Sequence, residues 1–257
     1  MRRQKNDRAD AAAICEAVSR PNMRFAGLKT IGQQTVQTLH RSRELLIKQR
    51  VQLSNAMRAH LAEFGWVVPQ GRPGLDQAMA LVKDSHNAEL PPALWDVLRC
   101  LVTQLEQLRK AIAQLNKQMV VWHRSDTESQ RLAGIPGIGV VTASAVIASI
   151  GSGKQFKSGR EFAAWVGLVP RQLSSGGKEK LGRISKQGNR YLRQLLVAGA
   201  TTYLRGRRCE KAVGGTWFSQ LLQRKPGRLA SVALANKMAR VVWAVLTTGE
   251  FYRSGAV

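Results

Sequence analysis

Two adjacent serines, Ser174 and Ser175, stand near the start of VPRQLSSGGKEKLGRISKQGNRYLRQLL, the stretch from Val169 to Leu196, ahead of Gly176, Gly177 and a regular scatter of cations. A serine hydroxyl is a weak nucleophile. One that attacks phosphorus needs positive charge nearby, to offset the charge that accumulates on the nonbridging oxygens. Seven cations (Arg171, Lys178, Lys180, Arg183, Lys186, Arg190 and Arg193) lie between 171 and 193 against one acid, Glu179. Ser185 is a third hydroxyl in the same field, and the paired glycines leave room for a duplex. Taken alone, the same residues also describe a flexible Ser-Gly-Gly loop leading into a solvated basic helix.

Each cation that neutralises a phosphate releases condensed counterion, so a segment of this kind predicts binding that falls steeply with salt. Lys186, Arg190 and Arg193 are spaced four and three apart. On a helix they would share one face and form a strip for a nucleic-acid backbone.

A second group able to do chemistry lies far away in the chain, in KNDRADA. Asp7 and Asp10 are three residues apart on a predicted helix, so both carboxylates project from one face. Such a pair suits Mg²⁺ or Mn²⁺, hard ions that take oxygen ligands and serve phosphodiester chemistry. Two carboxylates leave that metal site short of ligands.

The composition agrees with a polyanionic partner. The 257 residues carry 40 Lys and Arg against 16 Asp and Glu, a formal net charge of +24, which favours nucleic acid. No run of 18 or more uncharged apolar residues is present, and the first residues lack the apolar core of a signal peptide, so the expectation is a cytoplasmic chain with no membrane partner. Cys15, Cys100 and Cys209 show no metal-ligand spacing and are expected to be reduced thiols. His40, His60, His86 and His123 are equally scattered and are expected on helix surfaces or satisfied in the core.

The elements that must position these groups are mostly helices. A short helix ends near Pro21, and a long amphipathic helix is expected from about residue 31 to 64, with Leu39, Leu46 and Leu53 at intervals of seven. GWVVPQGRPGL interrupts it. Leu98, Leu101, Leu105, Leu108, Ile112, Leu115, Met119 and Trp122 then form a heptad pattern, which predicts a coiled coil within the chain or with a second protomer. In LAGIPGIGVVTASAVIASIG the glycines around Gly137 and Gly139 suggest the turn of a helix-hairpin-helix unit, whose backbone could meet a phosphate; a buried turn with no ligand is the alternative. FKSGREFAAWVGLVP reads as a short helix ending at Gly167, and two further helices follow, the last with small residues at Ser231, Ala233 and Ala235. The fold class expected is mainly α.

These segments together, above all P-x-x-x-x-S-G followed by G-x-I-S-K-x-G-N-x-x-L-R (Pro170, Ser175, Gly176, then Gly182, Ile184, Ser185, Lys186, Gly188, Asn189, Leu192 and Arg193), resemble the insertion-sequence-110 family of transposases over nearly the whole chain. The resemblance implies a DNA recombinase with a RuvC-like domain, coiled-coil helices and a C-terminal transposase domain. On this chain those regions fall at 1–25, 26–125 and 126–257. The resemblance further implies that Ser175 is the nucleophile, that Asp7 and Asp10 are the last two acids of an Asp-Glu-Asp-Asp metal set, and that DNA and a structured guide RNA are the partners of a homo-oligomer. In such proteins the first Asp and the Glu lie well upstream of the D-x-x-D helix, whereas Met1 stands six residues before Asp7. The expectation is therefore an N-terminally truncated chain with an incomplete metal site. It would be either a recombinase or a catalytically inactive nucleic-acid-binding protein.

Overall fold

The computed structural model describes residues 6–21, 23, 27–84, 90–173, 180–207 and 217–253. In chain order the elements are α1 (Asp7–Ser19), α2 (Ile31–Glu63), α3 (Arg72–Lys83), α4 (Pro92–Ser125), α5 (Thr127–Ala133), α6 (Val140–Ile150), α7 (Gly159–Val166), β1 (Pro170–Gln172), β2 (Leu181–Ile184), α8 (Arg190–Arg207), α9 (Trp217–Arg224) and α10 (Gly227–Thr248). The protein is mainly α, as its composition and periodicity predict. β1 and β2 form one antiparallel pair with Pro170 opposite Ile184.

α2 begins at a capping box: Thr30 accepts from the Gln33 amide, and the Gln33 side chain accepts from the Thr30 amide. α2 and α4, of 33 and 34 residues, run antiparallel. Arg43 of α2 bonds Asn116 of α4, whereas Met57 and Leu61, later on α2, share a cluster with Leu98 and Val102, earlier on α4. The long helices thus pair within one chain.

The inward face of α2 is not the leucine stripe. Val36, His40, Ser54, Met57 and Leu61 are buried, while Leu39, Leu46 and Leu53 are only partly covered. On α4 the regular series does mark the inward face, with Leu98, Leu105, Ile112 and Met119 buried. α2 carries polar side chains on its inward face, so its apolar periodicity falls on the flank.

The Pro/Gly-rich interruption hides the start of α3. Pro73 occupies the first turn, where its missing N–H costs nothing. Gly74 is buried against the Pro69 backbone, with no room for a side chain.

A second apolar cluster unites α5, α6, α7, α8 and α10 around fully buried Leu132, Phe162, Leu192 and Leu196. α10 has a mean hydropathy of 1.4 over its most apolar 18 residues, long and apolar enough by composition to cross a membrane. Its apolar residues from Leu234 through Met238 to Leu246 instead join this cluster, with Ser231 and Ala235 both buried and Ala233 partly covered. α1 buries no residue, and Ile14 and Val18 on it are each 64% exposed.

Candidate nucleic-acid interface

The motif residues around the β-pair divide into those that build the corner and those left facing outward. α7 ends at Gly167, which has a φ of 81°. The chain leaving β2 runs back beside this end: the Ser185 amide donates to Val169 O at 2.8 Å and the Lys186 amide to Gly167 O at 3.2 Å. Lys186 itself takes a left-handed φ of 55°. Gly188 has a φ of 79°, and a side chain there would run into Trp165 O. Glycine is required by both conformation and space.

Asn189 then starts α8, its Oδ1 accepting from the Leu192 amide at 3.1 Å, and Leu192 is fully buried. The guanidinium of Arg193 donates from Nη1 to Val166 O at 2.7 Å and to Gln187 O at 3.2 Å, closing the last turn of α7 onto the incoming loop. Arg171 donates across the β-pair to Ser185 O, from Nη2 at 3.1 Å. Ser185 is buried, with 9% of its surface exposed, so it does not present a free nucleophile. Asn236 of α10 supports the same corner by donating to Leu168 O at 3.2 Å.

The sequence-based strip is therefore corrected. Lys186 lies before α8, which begins at Arg190, and Arg193 turns inward to carbonyls. Among the described residues, the side chains of Arg183, Lys186 and Arg190 are exposed and make no hydrogen bond or ion pair, and Lys180 is exposed just before β2. Ser174, Ser175 and Lys178 lie outside the described residues, in the sequence between β1 and β2.

The turn 134–139 joins α5 to α6. Its two candidate glycines differ. Gly137, with a φ of 84°, faces α8, and a Cβ on it would come within 3.0 Å of both Gly199 O and Met238 Cε. Its role is close packing. Gly139 is exposed at the N-cap of α6, no atom lies within 4 Å of a Cβ placed on it, and no side chain caps the helix there. Only Gly139 retains the open approach that a phosphate needs.

A buried polar clasp ties this region to α2. His40 is 3% exposed, with Nδ1 3.0 Å from the Tyr191 hydroxyl and Nε2 3.1 Å from Ser144 Oγ. Ser144 donates its own proton to Val140 O at 2.7 Å. His40 Nε2–H therefore donates to Ser144, and Nδ1 accepts from Tyr191. The Arg43 guanidinium lies close to Tyr191. Burial, reinforced by the positive charge of Arg43, pushes His40 down to about 4, and burial raises Tyr191. Tyr191 directly follows Arg190, so the clasp fixes the start of α8 against α2 and α6. Helical spacing places a histidine on a face, but it does not identify partners more than a hundred residues away.

Asp7 and Asp10 both fall in the first turn of α1, exposed, with Asn6 capping the helix. Among the described residues no group of three or more His, Cys, Asp or Glu side chains is placed to hold a metal ion. The two carboxylates do not by themselves fit a divalent-ion site. Cys15 and Cys100 are free and exposed.

Comparison with known proteins agrees with the motif. The model of the family described as Transposase IS116/IS110/IS902 matches residues 129–213, from α5 through the β-pair and α8. A Pseudomonas aeruginosa protein named "Probable family 20 transposase" is 44% identical over 252 residues, covering 98% of this chain and 75% of that protein. The transposase for insertion sequence element IS1111A of Coxiella burnetii is 42% identical over 98% of this chain and 69% of its own length. The transposase for insertion sequence element IS1328 of Yersinia enterocolitica is 41% identical over 96% of this chain and 73% of its own. With that identity carried along almost its full length, the chain belongs to the IS116/IS110/IS902 family of transposases.

Proposed function

We propose that this chain holds DNA at the β1–β2 corner of an insertion-sequence transposase and that Ser175 cuts it. The observation that carries the reading is the division of labour among the cations. Arg171 and Arg193 donate to backbone carbonyls, while the side chains of Arg183, Lys186 and Arg190, which follow Ser175 in sequence, remain exposed and unpaired among the described residues. Guanidinium and ammonium groups without an internal partner are the ones available to phosphate oxygens.

In the proposed step the Ser175 oxygen attacks a backbone phosphorus. The serine O–P bond forms, the bond from phosphorus to the 3′ oxygen breaks, and the serine proton is delivered to the released 3′ hydroxyl. The surrounding cations offset charge on the nonbridging oxygens. Mg²⁺ or Mn²⁺ is the cofactor such chemistry would take. Asp7 and Asp10 would supply two carboxylate ligands toward it. A structured guide RNA is a second polyanion compatible with the +24 charge, and a homo-oligomer would allow serine and acids to come from different protomers.

That no group of three or more acids or other metal-ligating side chains gathers among the described residues favours one rival reading, a catalytically inert nucleic-acid-binding chain. Both readings place nucleic acid at the corner. The test of that shared part is the salt dependence of duplex DNA binding by the full chain and by an Arg183→Gln, Lys186→Gln, Arg190→Gln variant. The reading expects the slope of log affinity against log salt to fall by about 2 to 3 in the variant. An unchanged slope would remove the corner from the interface.

A further inference from the structure

We propose that a cavity between α2, α3 and α4 binds a phosphate of a nucleic-acid strand, as an anchoring point separate from the β1–β2 corner. The cavity has a volume of about 490 Å³ and is lined by four arginines, Arg50, Arg58, Arg72 and Arg109. It opens where the inward face of α2 is polar, with Arg50 and Ser54 on α2 and Ile112, Ala113 and Asn116 on α4 lining it. A leucine at position 50 would close an ordinary helix–helix seam. Arginine instead brings a charge into it.

The charges around the cavity are unbalanced. Asp76 accepts from Arg109 and pairs with Arg72 at 3.7 Å, so one carboxylate serves two guanidiniums. Arg58 donates to Ser54 Oγ at 2.9 Å and to Gly71 O at 2.8 Å, but its Nε is buried with no hydrogen-bond partner. A buried donor left in that state is costly unless something accepts from it. The Arg50 side chain, on a half-buried residue of the wall, makes no hydrogen bond or ion pair with any described residue. Gly71 and Arg72 line the same cavity at the start of α3, whose first turn has no acidic residue and no side-chain cap, so the positive end of that helix adds to the field.

The complement to this arrangement is an anion with several acceptor oxygens, and a phosphate matches a guanidinium in bidentate geometry. A phosphate within a strand fits better than a free one because the rim is open. The Arg72 side chain is 89% exposed, and Asn55 stands exposed at the edge, where the continuing backbone would pass. The proposal rests on the nucleic-acid reading above only in the identity of the strand.

The test uses the full chain with Arg50→Gln and Arg50→Lys, measuring affinity for a labelled duplex DNA and for a single-stranded RNA across a salt series, with thermal unfolding measured in parallel. The expected result is a several-fold weaker Arg50→Gln for at least one strand, a salt slope reduced by about one, an unchanged unfolding temperature and substantial recovery in Arg50→Lys. Strand affinity and slope equal to the parent, while Arg183→Gln weakens binding, would overturn the cavity and leave the corner standing. Inorganic phosphate that raises the unfolding temperature of the parent but not of Arg50→Gln, with strand affinity unmoved, would mark a small-anion site and also overturn the proposal. Insensitivity of strand binding to both Arg50 and the corner variants would overturn both readings together.

Discussion

His40 of α2 and Tyr191 of α8 meet through a 3.0 Å contact between Nδ1 and the phenolic oxygen, across 151 residues of sequence. With Ser144 donating to Val140 O, the ring is neutral with its proton on Nε2, and Nδ1 accepts from Tyr191. A second proton would place a charge in a buried site beside the Arg43 guanidinium.

The consequence is a pH dependence of stability. His40 is held down to about 4 in the folded chain, against about 6.5 when unfolded, so the unfolded state binds the extra proton first. This group leaves stability untouched above pH 6.5, withdraws it progressively as the pH falls from 6.5 to 4, and takes no more below. The loss is on the order of 3 kcal/mol. Denaturant titrations at a series of pH values, comparing the parent with His40→Gln, measure it as the difference between the two curves.

Two glycines of similar sequence context should respond oppositely to alanine. Gly188→Ala forces a Cβ into Trp165 O at a positive φ and is expected to lose on the order of 3 kcal/mol. Gly139→Ala meets open space at an ordinary φ and should stay within about 0.5 kcal/mol of the parent. Thermal unfolding of the two variants separates packing glycines from open ones. A loss of DNA affinity confined to Gly139→Ala would assign the turn a role in backbone contact.

The arginines of α8 should likewise divide. Arg193→Gln removes two hydrogen bonds to the corner and is expected to cost about 1–3 kcal/mol of stability. Arg190→Gln, exposed and unpaired among the described residues, should change stability by less than about 0.5 kcal/mol while weakening DNA binding. Unfolding and binding measured on the same preparations check both halves.

Much of the architecture can be read from the sequence where one signal dominates. The break at Gly167 and Pro170 ends α7, the glycine turn joins α5 to α6, and the regular apolar series on α4 marks its buried face. The stripe Leu39, Leu46 and Leu53 misleads, because α2 turns His40, Arg43, Arg50 and Ser54 toward its neighbours and leaves the leucines on the flank. Periodicity weighs apolar residues and is blind to a polar inward face. The short β-pair is equally hidden: its seven residues include Arg171 and Arg183, and neither strand shows an alternating apolar pattern. At the candidate site, residue types alone cannot separate Arg193, spent on carbonyls, from Arg190, left outside. That distinction depends on where α7 ends in space.

The most direct measurement of the central claim is a search for a covalent protein–DNA adduct on labelled element-end DNA, with Mg²⁺ and a candidate guide RNA, comparing the chain with its Ser175→Ala variant. The account predicts an adduct with the parent that disappears in the alanine variant while DNA binding persists. An adduct that survives Ser175→Ala, or no adduct from either chain while both bind DNA, would contradict Ser175 as the nucleophile of this polypeptide, and the second result would leave the inert binding chain in its place.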